Sequence, residues 1–260
     1  MMTFWLGAHD PHWLGRTNIP LFVSHRRLLR MKRRLPRACG AWALDSGGFS
    51  ELRLFGEWRT TPRDYVAAVR RYQQEIGQMA WAAPQDWMCE PFMLARTGKT
   101  LAEHQRLTVE NLVTLRDLAP ELPIIPVLQG WAASDYLNHV EQYDAAGINL
   151  GNEPIVGIGS VCRRQRAADG IEIIHRLWSC NLRLHGFGFK LSGLRQAADW
   201  LLSADSMAWS FNARRQGRRL PDCTHRQCAS CLRFALHWRE GVLRAIQTPK
   251  QGRLELWPQA

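Results

Sequence analysis

What most limits the fold of this chain is an alternation: short apolar runs are separated by longer segments with helical periodicity. Phe4 to Gly7, Leu21 to Val23, Trp42 to Leu44, Met79 to Ala82, Ile124 to Leu128, Ile148 to Leu150 and Leu184 to Phe189 read as buried strands. Between them, Arg63 to Gly77, Leu101 to Leu118, Ser134 to Ala146 and Arg166 to Ser179 carry apolar residues on one helical face. Helical crossovers are what join parallel strands, so the pattern predicts an α/β fold with a parallel sheet. A doubly wound sheet and a closed barrel both satisfy it. At 260 residues the chain can bury one large core, and it contains no internal repeat.

Asp45-Ser46-Gly47-Gly48-Phe49 follows directly on Ala41 to Leu44. An acid at the carboxyl end of a buried strand is where barrel enzymes keep their chemistry. Two glycines allow backbone to approach a planar ligand, and Phe49 supplies a ring to stack on it. The same run, taken alone, is also a common turn.

Lys plus Arg number 34 against 23 Asp plus Glu, a net charge of +11. The bases cluster in His25 to Arg34 and in Arg214-Arg215-Gln216-Gly217-Arg218-Arg219. Two dense cationic runs suit a polyanionic partner, with Arg214, Arg215, Arg218 and Arg219 as nucleic-acid contacts. The start of the chain lacks a cationic region followed by an apolar run, and no segment nears the length of a spanning helix, so a cytoplasmic protein without membrane contact is expected.

Of seven cysteines, Cys39, Cys89, Cys162 and Cys180 are scattered and read as buried small hydrophobes. The other three stand in Cys223-Thr224-His225-Arg226-Gln227-Cys228-Ala229-Ser230-Cys231. Cys228 and Cys231 have the spacing of a zinc knuckle, and Cys223 and His225 can converge on the same ion. His237 competes with His225 for the fourth place, but it lies six residues after Cys231, out of phase for one helical face. A structural Zn2+ held by Cys223, His225, Cys228 and Cys231 is expected, in a region of residues 219–260 that closes on a domain of residues 1–218.

Taken together, several segments resemble the tRNA-guanine transglycosylases, which exchange a guanine in nucleic acid for a 7-deazaguanine. Asp45 to Phe49 resembles their signature, Ala83-Pro84-Gln85-Asp86 their base-binding aspartate segment, and Val127-Leu128-Gln129-Gly130 their Val-Gln-Gly strand end. Val156-Gly157-Ile158-Gly159-Ser160 is similar to their glycine-bearing loop, and His185-Gly186-Phe187-Gly188 to their Met-Gly-Val-Gly turn. Asp205 stands where they place a nucleophilic aspartate. Two departures, Met207 to Arg215 in place of a Pro-Thr-Arg-x-Gly-Arg segment and the lack of an added RNA-binding domain, resemble the DpdA family of DNA transglycosylases found in phages and bacterial modification clusters.

The resemblance implies a (β/α)8 barrel with a C-terminal zinc-binding subdomain. It implies Asp205 as nucleophile and Asp45 as the base that takes a proton from the incoming deazaguanine. Asp86 and Gln129 would read the base edge, backbone at Gly130 and Gly157 would approach it closely, and Ser46, Gly47, Gly48, Phe49, His185 and Gly186 would line the site. Taken singly, Asp86 also reads as a loop or helix-capping residue, Gln129 as a satisfied strand-end amide and Asp205 as a turn residue after a helix. The implied partners are DNA, with tRNA as the alternative polymer, and a free 7-deazaguanine such as preQ0; a homodimer or accessory modification proteins stay open. Trp87, Trp131 and Trp209 are candidates to stack where a base is extruded. A non-catalytic zinc-containing nucleic-acid binder is the remaining reading, and it leaves the paired Asp45 and Asp205 unexplained.

Overall fold

A computed structural model describes residues 2–161 and 168–247. Eight strands, β1 (Thr3–Ala8), β2 (Leu21–Ser24), β3 (Trp42–Asp45), β4 (Met79–Ala82), β5 (Val127–Leu128), β6 (Val156–Ile158), β7 (Leu184–Gly186) and β8 (Ser203–Ser206), form one parallel sheet in the order β4-β3-β2-β1-β8-β7-β6-β5. The two ends of that order meet: Ala82 bridges Ile124 in parallel, and Ile125 N donates to the Ala82 carbonyl at 3.1 Å. The sheet therefore curls into a barrel, which the resemblance implies, and not into the doubly wound sheet that the alternation left open.

Helices connect the strands in turn: α1 (His25–Leu28), α2 (Gly48–Phe55), α3 (Pro62–Glu75), α4 (Pro91–Thr97), α5 (Leu101–Leu118), α6 (Ala133–Ala145), α7 (Ala168–Ser179), α8 (Leu191–Ala197), α9 (Ala208–Gln216) and α10 (Leu232–Gln247). Their starts have local chemical causes. Thr61 accepts from Asp64 N ahead of Pro62, and Thr100 and Glu103 form a reciprocal capping box at the head of α5. Helix α10 lies against the barrel, where the Trp238 ring sits 5.9 Å from Phe4 and Arg239 donates to the Phe4 carbonyl.

The two-residue period of the strands separates two cores. Phe4, Leu6, Trp42, Leu44, Leu184 and Ala204 face outward into the main core beneath the helices. Trp5, Phe22, Ala43, Trp81, Ala83, Ile125 and Ile155, with Phe187, fill the inside of the barrel. Since Ala204 faces out, Ser203 and Asp205 face in; since Leu44 faces out, so does Asp45 face in.

Several sequence expectations change. Ile148 to Leu150 is not a strand: the Asn149 side chain accepts from Gly151 N and turns the chain into a short 3-10 helix, Leu150–Asn152. Val156 to Ile158 is not a loop but β6, and Asp205 is not a turn residue but part of β8. Cys39 and Cys180 are exposed, in the approach to β3 and just past α7, whereas Cys89 is buried. Cys162 and the first two residues of the Arg166 to Ser179 segment lie outside the described residues.

Packing should outweigh capping in this fold. Leu112, fully buried on α5, is expected to cost about 2–5 kcal/mol on replacement by Ala. Thr100→Ala should cost about 1 kcal/mol through loss of the cap. Urea denaturation of both variants checks the order.

Candidate active site

At the carboxyl ends of the strands lies a cavity of about 550 Å3, lined by Asp45, Asp86, Glu90 and Asp205 together with Gln129, Ser160, Ser46 and Phe49. A larger cavity of about 650 Å3 opens at the opposite end, lined by Pro120, Leu122, Pro123 and Pro154 around the Arg116–Glu153 ion pair. The carboxylate cluster, not cavity size, makes the carboxyl-end cavity the candidate site, the end at which barrel enzymes generally keep their chemistry.

Asp45 ends β3, and its carboxylate accepts from Gly47 N at 3.0 Å, an arrangement that Gly47 permits by adopting φ 81°. Burial pushes the Asp45 carboxyl above its ordinary value, the Gly47 and Ser24 hydrogen bonds pull it back, and Asp205 raises it further. Asp205 Oδ1 accepts from Gly188 N at 2.9 Å and lies 3.4 Å from His185 Nε2. That His185 nitrogen has no aligned hydrogen bond, and its Nδ1 meets Ser203 Oγ at 2.8 Å. Burial holds the His185 imidazole below its ordinary value despite the neighbouring Asp205.

Asp86 and Glu90 sit on the extended segment between β4 and α4. A polar stripe on α5, His104, Thr108 and Asn111, holds that segment by contacts with Met88 O at 2.6 Å, Trp87 N at 2.9 Å and Gln85 O at 2.8 Å. The i, i+4, i+7 spacing places all three on one helical face. Asp86 is neither a surface loop residue nor a cap: it is 5% exposed, and Gln129 Nε2 donates to its Oδ2 at 2.5 Å. Burial pushes the Asp86 carboxyl up to about 7, against the pull of the Gln129 hydrogen bond, with Asp45 and Glu90 adding to the rise.

The sequence profile of the DpdA family, described as DeoxyPurine in DNA protein A, matches residues 1–260, the whole chain. The chain belongs to the DpdA family. This is a transglycosylase-type enzyme family associated with DNA modification. No curated protein matches the chain.

In this DpdA protein the motif acids Asp45, Asp86 and Asp205 converge on one cavity with Gln129, Ser46 and Phe49. The glycines behave differently. A side chain at Gly130 would meet Tyr136 and Asp135, at Gly157 the Phe187 ring, and at Gly186 the Phe189 ring, so the lack of a side chain at these three makes room for the protein's own groups. Gly159 and Gly188 line the cavity instead. Gly48 packs against Trp58 and Met88, and His185 lies below the cavity among Trp81 and Phe187. Trp209 is fully buried against Trp13 and Trp87 is 9% exposed, which removes both as free stacking rings; Trp131 is partly exposed.

Sequence reasoning missed Glu90, Ser160 and His9, and it did not place Arg26, Arg27 and Arg30 at the cavity edge. Arg26 is tied there by Glu51, a buried acid that also accepts from Arg59 N and Thr60 N. The only signal in the sequence was the density of the His25 to Arg34 run. Arg214, Arg215, Arg218 and Arg219 are all exposed at the end of α9 and just beyond it. Phe211, 62% exposed, precedes Arg214 and Arg215 by one helical turn.

Beyond α9, Cys223, His225, Cys228 and Cys231 bring three sulfurs and one imidazole nitrogen within 4.8 Å of one another. Cys223 Sγ lies 4.0 Å from Cys231 Sγ, and His225 Nε2 lies 2.9 Å from Cys228 Sγ. The four can hold a metal ion, and soft sulfurs with one imidazole are the donor set of structural zinc sites. His237 is exposed on α10 and stands outside the group. Cys228→Ser and His225→Ala are expected to lower both bound metal and melting temperature, while His237→Ala leaves both unchanged; elemental analysis beside a thermal melt checks this.

Proposed function

We propose that this chain is a DNA-guanine transglycosylase, replacing guanine in DNA by a 7-deazaguanine base through a covalent aspartyl-nucleotide intermediate. The observation that carries the reading is the convergence of Asp45, Asp86 and Asp205 with Gln129 on one cavity in a member of the DpdA family. Asp205 attacks the anomeric carbon as its bond to the guanine ring nitrogen breaks, and the bonding pair leaves with the base. Asp45, whose raised affinity for a proton suits the task, protonates the departing nitrogen and becomes a carboxylate. It then takes the ring-nitrogen proton of the incoming deazaguanine, whose nitrogen displaces Asp205 from the sugar. Acceptor-rich walls fit a base whose amino and imino hydrogens are donors.

The polymer is DNA in this reading, laid over the mouth by Arg27 and Arg30 on one side and by Arg214, Arg215, Arg218 and Arg219 on another, with Phe211 as an exposed ring for a base to stack on. The cysteine-histidine cluster holds one structural Zn2+, whose four protein ligands leave no place for substrate. Among the described residues no helix is long and apolar enough to cross a membrane.

Asp205→Ala is expected to abolish exchange and covalent trapping on a guanine-containing DNA without lowering the melting temperature. Asp45→Asn, which can neither give nor take that proton, should slow both formation of the intermediate and incorporation of the new base. A base-exchange assay run in parallel on DNA and tRNA checks both variants, and exchange on tRNA alone would reassign the polymer. The Asp86 carboxylate forms only as pH rises through about 7, so affinity for free guanine should increase across that range and be nearly flat in Asp86→Asn. Calorimetric titration of the base on either side of neutrality measures it.

A further inference from the structure

The Gln129 side chain is clamped on three sides. Its Nε2 donates to Asp86 Oδ2, its Oε1 accepts from Ser160 Oγ at 2.7 Å, and Gly159 lies flat against the amide. A Cβ at position 159 would fall 2.1 Å from Nε2 and 2.6 Å from Cδ, so only glycine leaves room for the amide there. Ser160 is held at φ 56°, a left-handed conformation that a non-glycine residue adopts at a cost, and such residues cluster at functional sites. Its hydroxyl also accepts from Cys89 N at 2.8 Å, which fixes it against the segment carrying Asp86 and Glu90.

A carboxamide can turn over, exchanging its oxygen and nitrogen with almost no change of shape, so only its hydrogen-bond partners decide which way it faces. An ionised Asp86 selects Nε2, but a protonated one can donate to Oε1 instead, so Asp86 by itself does not settle the orientation. With Oε1 bound by the Ser160 hydroxyl and one Nε2 hydrogen on Asp86, the group left for a ligand is the second Nε2 hydrogen. The wall then offers a donor beside an acceptor. That pair matches the 6-oxo group and adjacent imino hydrogen of guanine and opposes the 6-amino group and bare ring nitrogen of an adenine-like edge.

We propose that Ser160 is a positioning residue which, by locking the Gln129 amide, makes the pocket select 6-oxopurines over 6-aminopurines. The proposal deepens the guanine-exchange reading and rests on it. Glu90 Oε2 lies 2.9 Å from the same hydroxyl and competes for its one proton. In Glu90→Gln an amide would donate to Oγ and leave that proton to Gln129.

The test compares binding of guanine and 2,6-diaminopurine, two bases of nearly equal shape, by calorimetry. The unmodified protein should prefer guanine by on the order of tenfold or more, the worth of one hydrogen bond made against one opposed. Ser160→Gly removes the hydroxyl while suiting the left-handed backbone, so the fold should hold and the preference should fall to about threefold or less. Ser160→Ala should show the same loss, and Glu90→Gln should keep or widen the preference. A merely structural role would weaken both bases alike and leave their ratio unchanged. An unchanged ratio in Ser160→Gly, a ratio that collapses equally in Glu90→Gln, or equal binding of the two bases by the unmodified protein overturns the proposal while leaving the base pocket in place. Failure of the unmodified protein to bind either base overturns the guanine-exchange reading as well.

Discussion

Along each short parallel strand, successive side chains must point to opposite faces, and the position of every acid in the site follows from that alternation. Trp5, Phe22, Trp81 and Phe187 take inward places and plug the barrel. Asp45 and Asp205 take inward places nearer the carboxyl ends, so they stand on an apolar floor. Burial on that floor is the largest cause of the upward shift of Asp45, and burial likewise dominates at Asp86. Water would solvate these carboxylates well, whereas the described residues supply a few donors, among them Gly47 N and Ser24 to Asp45, Gly188 N to Asp205 and the Gln129 amide to Asp86.

Much of the scaffold was legible because its signals are local. Helix α5 runs from Leu101 to Leu118, the bounds its sequence suggests, since Thr100 and Glu103 cap it and its apolar residues keep one face. The strands that escaped notice, β6 and β8, have three and four residues, too few for a period to emerge. In β8 the inward residues are both polar, Ser203 bonded to His185 and Asp205 facing the carboxyl-end cavity, so the strand does not look like one. Here function overrode the local pattern.

Legibility of the site divides along the same line. Asp45, Asp86, Gln129 and Asp205 stood out because each sits in a short motif, and the cysteine-histidine cluster because its four residues lie within nine positions. Glu90 lies in no such motif and Ser160 only ends one, and the contact between them joins residues 70 positions apart. The glycines are ambiguous for a related reason. A glycine marks a close approach but not of what, and at Gly130, Gly157 and Gly186 the approaching groups are the protein's own aromatic or acidic side chains.

The cysteine-histidine cluster is joined to the cavity by a specific path. Cys228 N donates to the Arg218 carbonyl, and Ser210 Oγ on α9 donates to the carbonyl of Ala229, between Cys228 and Cys231. The same Ser210 hydroxyl meets His9 Nε2 at 2.5 Å, and His9 lines the cavity beside Arg27. Burial, Arg27 and Arg214 all hold the His9 imidazole below its ordinary value, so the two basic runs, far apart in sequence, act on one ring at the mouth. The cluster thus braces α9 and the arginines at its end, while the carboxylates are fixed by the barrel strands and by the α5 stripe. The arginines of α9 and the carboxylates of the cavity therefore rest on separate supports, as the proposed division between phosphate contacts that set register and a pocket that sets specificity requires.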